Sequence, residues 1–220
     1  MSDDSLKITE IFYSLQGEAR TVGVPTVFIR LTGCPLRCGY CDTEYAFSGG
    51  NKMSLDDIIE SIAKYSTRHI TVTGGEPLAQ PACGALLERL CDLGYDVSLE
   101  TSGAIDISTV DTRVSRVMDL KTPGSGEQER NRLENLEYLT AHDQLKFVIC
   151  DRADYEWAKS QLKEHMLEKH ELDEKCEVLF SPAYEQQDAR ELAEWILEDG
   201  LNVRFQMQLH KLLWQNEPGR

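Results

Sequence analysis

Three cysteines fall within one short stretch, Cys34-Pro35-Leu36-Arg37-Cys38-Gly39-Tyr40-Cys41, in a C-x₃-C-x₂-C spacing. The next cysteine, Cys83, is too distant in sequence to complete the set. Three thiolates can hold three irons of a four-iron, four-sulfur cubane and leave the fourth iron without a protein ligand. A cluster closed by four cysteines chiefly moves electrons, whereas an open iron can bind a reactant. Two other chemistries use closely spaced cysteines. Structural zinc wants four protein ligands and catalytic zinc three plus water, yet the nearest histidine is His69. A disulfide framework wants an even count in a secreted chain; this chain has seven cysteines and an acidic start without an apolar signal stretch. The spacing favours an iron–sulfur cluster, with zinc as the alternative. Cys83, Cys91, Cys150 and Cys176 have apolar neighbours and are expected to be structural thiols.

A second segment, Gly74-Gly75-Glu76-Pro77, follows an apolar run of strand length. Glycines there allow the backbone to approach a ligand closely, and the Glu76 carboxylate can accept from an ammonium group. Alone the pair marks only a turn; beside the cysteine triplet it points to a bound cofactor.

The elements that must carry these loops alternate between strand-length apolar runs and helical patterns. Strands are expected over 26–31, 69–73, 96–100, 114–120, 144–149, 176–180 and 202–208. Helices are expected from Ser54 with a capping-box start, around Leu86, Leu87 and Leu90, over 154–167 and over 188–197. Strand, loop and helix in alternation imply βα units on a parallel sheet. In such folds the chemistry sits at the C-terminal ends of the strands, where the unusual loops fall. The charged stretch 163–175 is expected to be a solvated helix end and loop.

Together the cysteine loop and the Gly-Gly-Glu-Pro segment resemble the radical S-adenosylmethionine (SAM) enzymes. Further motifs narrow the resemblance: Glu10-Ile11-Phe12-Tyr13-Ser14-Leu15-Gln16-Gly17-Glu18, Gly23-Val24-Pro25, Asp42-Thr43, Glu100-Thr101-Ser102-Gly103 and Gln208-Leu209-His210-Lys211. These are similar to the 7-carboxy-7-deazaguanine synthase (QueE) family, over about residues 9–211. The resemblance implies an α/β fold, an incomplete, abbreviated parallel β/α barrel of the radical SAM type, with residues 1–220 as one radical SAM domain. It implies a carbon–nitrogen lyase that converts 6-carboxy-5,6,7,8-tetrahydropterin to 7-carboxy-7-deazaguanine with loss of ammonia, on the route to queuosine. The implied cofactors are a 4Fe–4S cluster, SAM and Mg²⁺.

The resemblance also implies residue roles. Cys34, Cys38 and Cys41 would hold the cluster and act catalytically through it, and Thr43 would ligate Mg²⁺. Tyr40, Gly75, Glu76, Ser102, Asp119, Leu120, Lys121 and Ser181 would line SAM. Leu15, Gln16, Gly17, Glu18, Arg30, Thr73 and His210 would bind the substrate, with Arg30 suited to a carboxylate. The chain departs from the family in two places: Lys121-Thr122-Pro123 replaces a Ser-Pro-Lys order, and Leu212 to Arg220 extends beyond the point where some members end.

Composition bounds the partners. Net charge is −15, from 23 basic and 38 acidic residues, which disfavours grip on a phosphate backbone. No apolar run is long enough to span a bilayer. The family resemblance implies a small pterin substrate, a homodimeric partner and a flavodoxin-type reductant, and free cysteines imply a cytoplasmic setting, with neither nucleic acid nor membrane expected. Two rivals remain: a radical SAM activase that makes a glycyl radical on a partner enzyme, and a non-enzymatic metal-binding module.

Overall fold

The computed structural model of the chain describes residues 4–167 and 176–215, together with Glu217 and Gly219. Its elements in chain order are β1 (Ser5–Leu15), β2 (Pro25–Leu31), β3 (Asn51–Ser54), α1 (Leu55–Ala63), β4 (His69–Gly74), α2 (Cys83–Asp92), β5 (Asp96–Thr101), β6 (Ser115–Asp119), β7 (Gln144–Ile149), α3 (Arg152–Leu167), β8 (Glu177–Pro182), α4 (Ala189–Asp199), β9 (Arg204–Phe205) and α5 (Leu209–Trp214). The nine strands form one sheet in the order β3-β1-β2-β4-β5-β6-β7-β8-β9. From β2 to β9 every neighbouring pair is parallel.

The sheet departs from pure βα alternation in three ways. β1 and β3 add an antiparallel edge that no apolar run announces, because β1 is mostly half-buried. No α-helix covers the crossover from β5 to β6 or from β6 to β7; the second carries three short 3₁₀ turns instead. The last strand spans two residues where 202–208 was expected, because Gln206 and Gln208 turn their side chains onto the loop after β1. The expected solvated stretch 163–175 lies outside the described residues from 168 on.

Alternation along the strands sorts the side chains into two layers. One row packs beneath the helices: Val27, Ile29 and Leu31 from β2, Ile70 and Val72 from β4, Val97 and Leu99 from β5, Leu145, Phe147 and Ile149 from β7. These meet Ile58 and Ile62 of α1, Leu86, Leu87 and Leu90 of α2 and Tyr155 of α3. Each such side chain contributes about 1.5–3 kcal/mol on burial. The opposite row carries the polar residues Glu10, Arg30, Thr71, Thr73, Ser98, Glu100, Asp119, Lys146 and Ser181, set among the apolar Phe12, Phe28, Val117, Val148 and Leu179. A parallel strand covered on both faces normally reads apolar throughout, so these polar residues mark an interior that holds something other than core.

The loop after β1 shows how the sheet curls around that interior. Ala19 N–H donates to Gln206 Oε1 at 2.7 Å, and Gln206 Nε2 donates to Ala19 O at 2.9 Å. Arg20 N–H donates to Gln144 Oε1 on β7 at 2.9 Å. Because β1 runs antiparallel to β2, this loop lies at the N-terminal ends of the parallel strands and closes that end as a floor. Segments from opposite edges of the sheet meet there, as in an incomplete barrel.

Candidate active site

The cysteine loop leaves the C-terminal end of β2, at the opposite end from the floor. Its backbone is pinned from two directions. Gly33 N–H donates to Ala46 O at 2.7 Å and Gly39 N–H to Ser125 O at 3.0 Å. Arg37 N–H donates to Glu127 Oε1 at 2.6 Å, and the Arg37 guanidinium returns to Cys34 O and Leu36 O at 2.8 and 2.6 Å. Cys34, Cys38 and Cys41 are half-exposed and form no disulfide. Burial raises all three thiols above their usual value, Cys38 to about 11, so a metal is needed to hold them as thiolates. Among the described residues no three His, Cys, Asp or Glu side chains converge as ligands of a single metal ion. The positive charge of Lys121 acts on all three thiols, which fits an anionic cluster.

The Gly-Gly-Glu-Pro segment packs against this loop. A Cβ on Gly74 would stand 2.3 Å from Leu31 O, and one on Gly75 2.3 Å from Gly33 O and 2.7 Å from Cys34 Cβ. The expected close approach is therefore to the backbone of β2 and the cysteine loop. Glu76 is fully buried. Its carboxylate accepts from Leu78 N–H at 3.0 Å, Thr101 Oγ1 at 3.0 Å, Ser102 N–H at 2.7 Å and Ser102 Oγ at 2.5 Å. So the Glu76 carboxylate, expected to accept from an ammonium group, and the Ser102 hydroxyl are bonded to each other, and together they tie the Gly-Gly-Glu-Pro loop to the end of β5.

The other residues expected around SAM divide. The Leu120 side chain belongs to the apolar core; only its main chain faces the strand ends, with N–H donating to Lys146 O at 2.9 Å. Lys121 Nζ pairs with Asp119 Oδ2 at 3.0 Å and lies 5.6 Å from the Tyr40 ring centroid. Asn131 holds the Lys121 backbone by two hydrogen bonds, of 2.9 and 2.8 Å. Tyr40 Oη, Asp119 Oδ1 and Ser181 Oγ are buried with no hydrogen-bond partner. Buried polar atoms left unmatched are costly; Ser14 Oγ on β1 is a fourth, while these three stand in the cysteine loop and at the C-terminal ends of β6 and β8, where a polar cofactor would match them.

The residues expected to meet substrate spread from the floor, at Leu15 to Glu18, to the C-terminal ends of β2 and β4, at Arg30 and Thr73. Glu10, Arg30 and Thr73 lie in register across β1, β2 and β4. Arg30 Nε donates to Glu10 Oε1 at 2.8 Å, and its guanidinium faces Phe12 and Tyr45 at 5.6 and 5.8 Å. Leu15 ends β1 half-buried opposite Pro25. Gln16 Nε2 donates to Thr71 Oγ1 at 3.1 Å and Glu100 Oε1 at 3.3 Å. Gly17 leaves no room for a side chain, since a Cβ would stand 2.1 Å from His210 Nδ1. Glu18 pairs with Lys146 of β7 and accepts from Gln208 Nε2 at 2.6 Å. Against the cost of burial, the Lys146 charge and these bonds hold Glu18 below its usual value. His210 stands 3.9 Å from Asp42 Oδ2 and Lys211 3.2 Å, while Thr43 Oγ1 donates to Asp42 Oδ1 at 2.8 Å. α5 thus bridges the floor to the cysteine loop.

Glu100, Lys146 and Asp42 were not singled out from the sequence as site residues. The signal for two of them was the alternation in Val97-Ser98-Leu99-Glu100 and Leu145-Lys146-Phe147, which sets a charge opposite the core row. A separate cleft of about 460 Å³, lined by Cys176, Glu177 and Arg204 among others, opens at the N-terminal ends of β7 and β8, away from the cysteine loop. Its Glu177 is already paired with Arg204 and Arg20.

Comparison with known proteins agrees with this geometry. The model of the radical SAM superfamily matches residues 28–121. The chain is 44% identical to a 7-carboxy-7-deazaguanine synthase of Koribacter versatilis, over 96% of this chain and 98% of that one. It is 42% identical to the protein of that name from Chlorobaculum tepidum, over 95% and 94%. The crystal structure of QueE from Escherichia coli superposes with a TM-score of 0.74 at 24% identity, over 93% of this chain and 94% of that one. Streptococcus suis SuiB, solved bound to S-adenosylmethionine, superposes with a TM-score of 0.55 at 16% identity, over 80% of this chain and 45% of that one.

Proposed function

The chain belongs to the 7-carboxy-7-deazaguanine synthase family of the radical SAM superfamily, and on that premise we propose that residues 1–220 act as one domain converting 6-carboxy-5,6,7,8-tetrahydropterin to 7-carboxy-7-deazaguanine with loss of ammonia. The observation that carries this reading is the set of polar residues on the interior row, between a floor built on Gln16 to Glu18 and a loop bearing three cysteines. Polar side chains gathered between those two ends suit a small heterocycle better than the peptide loop an activase must admit.

When bound, the cluster and SAM supply the one-electron chemistry that starts the reaction. The chain's own residues bind, orient and screen. Cys34, Cys38 and Cys41 hold the cluster, and Lys121 offsets its negative charge. Tyr40, Asp119 and Ser181 offer SAM their unmatched polar atoms; Gly75, Glu76, Ser102 and Leu120 shape the backbone against which it lies. Arg30 takes the pterin carboxylate while keeping one edge on Glu10, in the two-sided way a guanidinium permits. Glu18, held ionised by Lys146, accepts from the donor-rich pterin edge, with Gln16, Thr73 and the Leu15 and Gly17 main chain alongside. Thr43 keeps lone pairs for Mg²⁺, which takes its remaining ligands from substrate and water. His210 closes the chamber between Gly17 and Asp42. A homodimer, a flavodoxin-type reductant and a cytoplasmic setting complete the proposal. No helix among the described residues is long and apolar enough to cross a membrane.

The test is an anaerobic assay of cluster-loaded protein with the carboxytetrahydropterin, SAM, Mg²⁺ and a reductant, read by mass spectrometry. Wild type is expected to form the deazaguanine, and Cys38→Ala to lose both bound iron and SAM cleavage. Stoichiometric zinc in the wild type, or full iron and activity in Cys38→Ala, sinks the reading.

A further inference from the structure

Four carboxylates face the chamber, and their partners differ. Glu10 has Arg30, Glu18 has Lys146 and Asp119 has Lys121. Glu100 has no cation within ion-pair distance among the described residues. It accepts one hydrogen bond on each oxygen from neutral groups, Gln16 Nε2 at 3.3 Å and Thr73 Oγ1 at 3.0 Å. A carboxylate has about four lone-pair sites, so capacity remains on both oxygens. Glu76, by contrast, is filled and fully buried. Glu100 also sits beside Thr73 in the line that runs from Glu10 through Arg30. An acid held in a chamber by neutral donors, next to acids held by cations, is poised to change its protonation while they do not.

Building on the reading above, we propose that Glu100 is the proton acceptor of the closing elimination, touching the substrate ring between Thr73 and Gln16. Substrate and product differ by one ammonia, so the net change is redox-neutral and needs no outside oxidant. A ring carbon–hydrogen bond breaks; its proton passes to a Glu100 oxygen and its electron pair forms the ring double bond. The adjacent carbon–nitrogen bond breaks with its pair going to nitrogen, which takes up a proton and leaves as ammonia. The proton that Glu100 received is the one it can give back, so the carboxylate is restored each cycle.

The electrostatics agree. Burial first, and the nearby Glu18 charge second, raise Glu100 above its usual value, while Lys146, the Thr73 hydrogen bond and Arg30 pull it down. Glu10 tempers Arg30, and Glu18 first and Asp119 second temper Lys146, so neither cation acts on Glu100 at full strength.

The isosteric change Glu100→Gln separates proton transfer from positioning. In the cluster-loaded variant, calorimetry is expected to give pterin affinity within about threefold of wild type, because the amide still fills the site. Deuterium transfer from ring-labelled substrate into 5′-deoxyadenosine or SAM is expected to persist. Deazaguanine formation is expected to fall by about 10²–10⁴-fold, the usual share of a general base. In the wild type, product formation is expected to rise with pH through a limb above about 4.3, the ordinary glutamate value, since the base must be ionised. Wild-type product formation by Glu100→Gln, loss of pterin binding in step with product, or absence of that limb overturns the inference and leaves the proposed function standing. A wild type that makes no deazaguanine overturns both.

Discussion

A methyl group on Gly75 would press on the Gly33 carbonyl and on Cys34 Cβ from closer than any real Cβ contact, and both neighbours are backbone or bonded directly to it. Neither can swing aside, so Gly75→Ala must displace the start of the cysteine loop. The expected outcome is poor iron loading, with the fold otherwise kept. Iron content and far-ultraviolet circular dichroism check this together, and wild-type iron in the variant would show that the two loops do not need their close packing. The same scale explains why the interior acids differ in behaviour. Glu18 and Glu100 face the interior, and Glu76 is buried behind it. One faces an ammonium, one is filled by hydroxyls and main-chain N–H groups, and one is held by a side-chain amide and a hydroxyl. Their chemistry follows from those partners rather than from residue type.

α1 begins at a reciprocal cap: Asp57 N–H donates to Ser54 Oγ at 3.1 Å, and Ser54 N–H returns to Asp57 Oδ2 at 3.2 Å. Ser54→Ala is expected to cost about 1 kcal/mol, read as a lower urea midpoint at unchanged slope. A change below about 0.3 kcal/mol would mean the helix is held by its packing on Ile58 and Ile62 alone. That cap was legible in the sequence, as was β7, whose expected and observed bounds coincide. β1 was not legible, because a half-buried edge strand of mixed polarity lacks both the apolar run and a clean alternation. Nor were the crossovers without helices on either side of β6, since loops held by hydrogen bonds leave no periodic trace. Of the site, the three cysteines and the glycine pair could be read from spacing. The roles of Glu76 and Ser102 could not, because spacing does not say which polar groups satisfy each other. Glu100 and Lys146 were within reach of strand alternation, and Glu100 opened one of the motifs that carry the resemblance, but neither was given a role.

Gln206 is one of the residues that close the floor, beside Gln144, Lys146 and Gln208. Gln206 bonds both the N–H and the C=O of Ala19, and Ala19 has a φ of 63°, left-handed backbone that alanine adopts only at a cost. Gln206→Ala leaves that buried peptide unmatched and its strained turn unsupported. A loss of about 1–3 kcal/mol is expected, with weaker pterin binding because Glu18 is the adjacent residue. Unchanged calorimetric affinity alongside lowered stability would separate the floor from the binding site. The distances along the chain carry a last consequence. The cysteine loop meets its glycine partner across about forty residues of sequence, whereas Ala19 and Gln206 are 187 apart. Long-range closures are the slow ones, and a chain made from its N-terminus presents its early segments first. During synthesis the metal ligands are therefore shaped well before the chamber can shut, and the nascent chain carries a place for iron long before it has a place for a pterin.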